Sequence, residues 1–97
     1  MTFRKREPKP LFPLGQIAIT PAALDVLAEA GVHFDELIAR YVAGDWGDVS
    51  EEDATRNQDA IGCCWVIHSV YGTGSEEVWV ITEADRSVTT VMLKDEY

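Results

Sequence analysis

The plainest pattern along the chain lies near its C-terminus, where residues 78–82 (Val-Trp-Val-Ile-Thr) and 88–93 (Val-Thr-Thr-Val-Met-Leu) flank a polar break at residues 83–87. Two β-branched and aromatic runs around a turn-forming segment predict a β-hairpin. Val78 and Val80 point to one face of such a strand, and Trp79 and Ile81 to the other. A third β-rich run covers residues 63–71, in which Cys64, Val66, His68 and Val70 alternate with Cys63, Trp65, Ile67, Ser69 and Tyr71. Residues 72–76 (Gly-Thr-Gly-Ser-Glu) supply the turn into the hairpin, so the C-terminal half predicts a three-strand meander.

Upstream, residues 14–20 predict a short strand. Thr20 and Pro21 are a helix start, with threonine as N-cap and proline at the first helical position. Leu24, Leu27 and Ala28 line one face of that helix, and Gly31 ends it. A second helix carries the strongest periodicity: Phe34, Leu37, Ile38, Tyr41 and Val42 recur at i, i+3, i+4, i+7 and i+8, the spacing of one helical face. Asp35 and Glu36 suit its first turn. Residues 44–48 (Gly-Asp-Trp-Gly-Asp) predict a tight loop around Trp46. Ser50 with Asp53 resembles a capping box and starts a polar helix from Glu51 to about residue 60, stopped by Gly62. The element order is β-α-α-(α)-β-β-β. It predicts an α+β domain whose antiparallel sheet of three or four strands carries two or three short helices on one face. The other face is apolar as well, which predicts a protein partner or a symmetric homodimer contact there.

Composition separates an arm from a body. Residues 1–13 contain Pro8, Pro10 and Pro13 and predict an extended arm, with Leu11 and Phe12 pinning its end to a single domain over residues 14–97. The net charge is −9, yet Arg4, Lys5, Arg6 and Lys9 against Glu7 give residues 1–10 a charge of +3, leaving −12 on the rest. So acidic a body repels phosphates, which argues against direct nucleic-acid binding and favours a basic partner or mimicry of a polyanion. No apolar run reaches membrane-spanning length and no apolar signal region follows the basic arm, so a cytoplasmic protein is expected.

Candidate chemistry is sparse. Cys63, Cys64, His68 and His33 lack the C-x2–4-C spacing of a zinc site; reduced core cysteines are expected, with no metal and no cofactor. His68, Arg86, Thr89 and Thr90 would form a phosphate-contacting or acid–base cluster only if the fold gathered them on one surface. The plainer expectation is that Asp85 and Ser87 cap the hairpin turn while Arg86 pairs with a neighbouring carboxylate. Trp46 is expected to plug the core beside Tyr41, or, if exposed, to serve as an interaction hot spot. With it, Glu51, Glu52, Asp53 and Trp79 are the candidate interaction residues. Six carboxylates (Asp45, Asp48, Glu51, Glu52, Asp53 and Asp59) against Arg56 make residues 45–59 the acidic surface.

Several motifs together resemble a small bacterial family carried on plasmids and integrative elements. They are Leu11-Phe-Pro-Leu-Gly-Gln16, Thr20-Pro-Ala-Ala-Leu24, Gly44-Asp-Trp-Gly-Asp48 with Glu51-Glu-Asp53, Trp79-Val-Ile-Thr-Glu-Ala-Asp-Arg-Ser87, Thr89-Thr90 and the terminal Glu96-Tyr97. The resemblance spans nearly the whole chain and implies a bacterial protein of mobile-element origin, while carrying over no activity. The expected function is therefore that of a mobile-element accessory protein acting by protein–protein interaction, in its sharper form an anti-restriction or anti-defence polyanion mimic. The competing expectation is a small nuclease-like enzyme of a toxin or conflict system.

Overall fold

The computed structural model describes residues 10–73 and 76–97. The basic residues of the arm, and Gly74 and Ser75 of the expected turn, lie outside the described residues. The remaining chain forms β1 (Gln16–Ile19), α1 (Pro21–Glu29), α2 (Phe34–Val42), α3 (Glu51–Cys63), β2 (Ile67–Gly72), β3 (Glu77–Thr82), β4 (Val88–Leu93) and a closing 3-10 turn, Lys94–Glu96. The fold is α+β, as the pattern predicts.

The sheet order is β1-β4-β3-β2. β2, β3 and β4 form the antiparallel meander, but β1 lies parallel to β4, with Gln16 opposite Val88 and Ile19 opposite Val91. The sheet is thus mixed, a correction to the antiparallel expectation. The outer edge of β2 is already covered, so β1 takes the free edge of β4. Its end then sits beside Val91, where Thr20 donates its N–H to the Val91 carbonyl at 3.0 Å and α1 turns back across the sheet. Gly15 makes this approach feasible: its φ is +65°, and a Cβ there would collide with the Ser87 and Arg86 carbonyls.

Helix boundaries follow local chemistry. The Thr20 hydroxyl accepts the Ala23 N–H at 3.2 Å, and the Ser50 hydroxyl accepts that of Asp53 at 3.1 Å, satisfying amide groups that a helix start leaves free. α3 does not stop at Gly62; it runs to Cys63 and ends on Cys64, which takes a left-handed conformation at φ 55°. Cys63 and Cys64 are both exposed thiols. The expectation of core cysteines on a strand is corrected, because the strand begins only at Ile67.

The helices cover one sheet face. Ile67, Ser69, Tyr71, Val78, Val80, Thr82, Thr89 and Val91 are buried beneath Ala23, Leu27, Leu37, Tyr41 and Ala60. A chain of hydroxyls crosses this core. Tyr41 Oη lies 2.7 Å from Thr82 Oγ1, which lies 2.7 Å from Thr89 Oγ1, which in turn donates to the Leu14 carbonyl at 2.8 Å. Buried polar groups are tolerable when bonded in this way.

Trp46 is 6% exposed and meets Phe12 and Tyr41 at ring-centroid distances of 6.0 and 5.8 Å. It is a core anchor with no surface left for a partner, which removes it from the candidate interaction residues. Phe12 also joins the core at 4% exposure, whereas Leu11 is held by its backbone N–H on the Val42 carbonyl. On the far face of the sheet, the chain end returns across β3. Tyr97 lies 5.5 Å from Trp79 and stacks on His68 at 6.4 Å with rings 8° apart. That face is therefore partly covered by the protein itself, and Ile81 is only 7% exposed.

Candidate functional site

α3 runs beside the outer edge of β2, and Asn57 is the residue that fixes it there. Its side-chain amide donates to the His68 carbonyl at 2.8 Å and its oxygen accepts the His68 N–H at 3.2 Å. A side-chain amide has the same donor–acceptor pair as a peptide unit, so Asn57 substitutes for one residue of a neighbouring strand. Between helix and strand lies a groove of about 620 Å³, lined by Asp53, Arg56, Asn57, Trp65, Val66 and His68.

Trp65 and Val66 form the exposed lip, at 53% and 44% exposure. The His68 ring packs 4.5 Å from Trp79, and its Nε2 is buried with no hydrogen-bond partner among the described residues. Burial pushes the imidazole below its usual range, partly offset by the negative charge of Asp53. His68 is thus neutral at pH 7.

The four residues proposed as a catalytic cluster are not brought together. Thr89 is buried on the helix-covered face, bonded to Thr82 and Leu14. His68 and Thr90 lie on the opposite face, each across from Ile81 on its own side. Two strand spacings, roughly 9–10 Å, separate them. Arg86 sits in the hairpin with φ 60° and donates to the carbonyls of Ala60 at 2.6 Å, Trp65 at 2.7 Å and Glu83 at 3.1 Å. Among the described residues it meets no carboxylate, so carbonyls take the place of the expected ion pair. Bare carbonyls at the end of α3 supply the negative end of a helix dipole instead. Asp85 does cap the turn, its Oδ1 accepting the Ser87 N–H at 3.0 Å.

The acidic surface is also narrower than its sequence count. Asp45 accepts from the Arg40 Nε at 2.7 Å and the Gly47 N–H at 3.2 Å, and Asp48 accepts the Gly72 N–H at 2.7 Å. The Arg40 hydrogen bond holds the Asp45 carboxyl below the usual carboxylate range. These two carboxylates are exposed as well but are engaged within the loop, whereas Glu51, Glu52, Asp53 and Asp59 lie exposed on α3. Trp79 is half-buried beneath Tyr97, and its indole N–H reaches the Glu77 carboxylate at 3.3 Å.

Pattern reading missed Asn57, Arg56, Trp65 and Val66. Asn57 carried a usable signal, since it shares a helix face with Ala60 and Ile61 at i+3 and i+4, and a polar residue on an apolar stripe asks for a buried partner. Among the described residues no group of three His, Cys, Asp or Glu side chains converges to hold a metal, and no helix is long and apolar enough to cross a membrane. No protein family, curated protein or solved structure matches the chain.

Proposed function

We propose that this is a non-enzymatic accessory protein of a mobile element that binds a protein partner through the groove between α3 and β2. The observation carrying the proposal is the lip of the groove: Trp65 and Val66, adjacent and about half exposed, beside the acidic face of α3. An exposed indole next to charged groups has the makeup of a binding hot spot. Glu51, Glu52, Asp53 and Asp59 suit a partner surface that is basic around an apolar centre, such as one that ordinarily receives phosphates. This supports the polyanion-mimic form of the proposal. The nuclease-like alternative needs His68, Arg86, Thr89 and Thr90 on one surface, whereas Thr89 is buried beneath the helices, Arg86 is engaged in the hairpin, and only His68 and Thr90 share a face.

The test is affinity capture from a bacterial host carrying the gene, comparing wild type with Trp65→Ala and with Glu51→Gln/Glu52→Gln. A specific partner should be retained by wild type and lost at least about tenfold in Trp65→Ala, the loss expected of a hot-spot truncation. Melting should be unchanged. A partner held equally by all variants would place the contact elsewhere. Metal-independent RNA cleavage by wild type that disappears in His68→Ala would favour the enzyme.

A further inference from the structure

The two edges of the sheet are treated differently. Along β2 the backbone is occupied: Asn57 brackets His68, Asp48 donates its N–H to the Val70 carbonyl at 2.7 Å, and Val70 donates to Trp46 at 3.3 Å. β1, at the opposite edge, pairs among the described residues with β4 alone. Its Gln16 and Thr20 N–H groups bond inward, to Ser87 and Val91. Backbone groups alternate sides along a strand, so the N–H and C=O groups of Ile17 and Ile19 point away from the sheet.

Natural edge strands are usually guarded by a charge, a proline, a bulge or a covering segment. β1 is short, at four residues, but Gln-Ile-Ala-Ile carries no charge, proline or bulge, among the described residues no strand pairs with its outer side, and Gln16, Ile17 and Ala18 are exposed. Charge sets this edge apart from the rest of the chain. Residues 10–24 are wholly uncharged, although the chain carries 8 basic and 17 acidic residues. The Glu96 carboxylate meets the Thr20 hydroxyl at one end of β1, but no residue of the strand itself adds charge between two copies. Ile17 presents an exposed apolar side chain, at 45%, on this edge.

We propose that β1 is a self-association edge on which a second copy of this chain adds its own β1, antiparallel, about a two-fold axis at Ala18. In this register Ile17 faces Ile19 of the second copy, and each such pair exchanges both N–H···O bonds. Ala18 faces its own counterpart at the closer, non-bonded position, where a small side chain fits. The isoleucine pairs lie on the helix-covered side, where cross-strand β-branched contacts are favourable. The four-stranded sheets join into one, and the interface is isologous, so it closes at a dimer. A short strand pair with these flanks falls below about 1,200 Å², the size of weak and transient contacts, so dissociation is expected between about 10 μM and about 1 mM. The proposal is independent of the groove and its partner.

The test uses the full chain with Cys63→Ser/Cys64→Ser, followed by sedimentation equilibrium from about 10 μM to about 1 mM, a span of concentrations that brackets the expected constant. The mass should climb from 10.8 kDa toward twice that value. Ile17→Lys should weaken dimerisation at least about tenfold. In the same background, Ala18→Cys should form a disulfide dimer on mild oxidation, while Ala39→Cys, exposed on α2, should not. Exchange of the Ile17 and Ile19 amides, which needs no further variant, should slow with concentration. A monomer throughout would overturn the proposal. So would a dimer that Ile17→Lys leaves intact and Ala18→Cys fails to cross-link.

Discussion

The Arg86 guanidinium donates to the Ala60 carbonyl at 2.6 Å, joining the β3–β4 hairpin to the last turn of α3. The same side chain reaches the Trp65 carbonyl at 2.7 Å and lies over the Phe12 ring at 6.0 Å. One residue of a surface turn therefore caps a helix, holds the segment leading into β2 and covers the core plug. This accounts for a non-glycine residue in the left-handed region, where the backbone costs about 1–2 kcal/mol.

Arg86→Ala removes these bonds and keeps the backbone cost. Hydrogen bonds to a charged group are typically worth about 1.5–3 kcal/mol, so urea unfolding should show a loss of that size. Arg86→Gly loses the bonds but relieves the backbone, and should unfold about 1 kcal/mol later than the alanine variant. Equal midpoints for the two would show that the left-handed conformation carries no strain.

Trp46→Ala should cost about 3–5 kcal/mol, as large aromatic truncations in a core do. Gly47→Ala should destabilise by a separate route. Gly47 has φ +73°, and a Cβ there would strike the Val70 carbonyl, so the loop must lift off β2. Slower amide exchange at Val70 in Gly47→Ala than in wild type would contradict this.

Tyr41 and Tyr71 are buried. Burial pushes the Tyr71 phenol up to about 12 and raises that of Tyr41 further still. An unfolded phenol titrates near about 10. Their stabilisation is therefore complete below that pH and is lost as pH rises toward the folded values. The stability profile should be level to about pH 9 and then fall, each tyrosine contributing up to about 1.4 kcal/mol per pH unit. Tyr71→Phe should remove one tyrosine's share of the slope. A profile that stays flat to about pH 12 would rule out both burial effects.

His68 acts at the other end of the scale. Its folded imidazole titrates below the usual value of about 6.5 because burial disfavours the cation. The folded state then binds fewer protons than the unfolded chain. Stability should fall as pH drops from about 7 through 6.5 toward the folded value. His68→Phe should flatten that decline, and an NMR titration midpoint above about 6.5 for His68 would reverse the sign.

Local signals made much of the fold legible. Thr20 with Pro21, Ser50, the stripe from Phe34 to Val42 and the Asp85 turn all use neighbours within a few positions, and each forms where expected. What was not legible depends on distant residues. α3 continues past Gly62 to an end whose carbonyl is capped by Arg86 from the hairpin. The alternation at residues 63–66 mimics a strand, but a short apolar run has no period of its own strong enough to exclude a helix end. The groove followed from neither pattern, because it exists only once Asn57 has laid α3 along β2.

The pairing of β1 with β4 sets the order in which the molecule can be made. Val88 lies 72 residues after Gln16, its partner in the sheet. During synthesis β1 emerges with nothing to join, and it waits until the chain as far as β4 has been translated. The meander and α3 close over short separations and can settle early, whereas this long loop must be closed against its own entropy. Until β4 arrives, the backbone groups of Ile17 and Ile19 have no partner from β4, so the nascent chain is exposed to mispairing at β1.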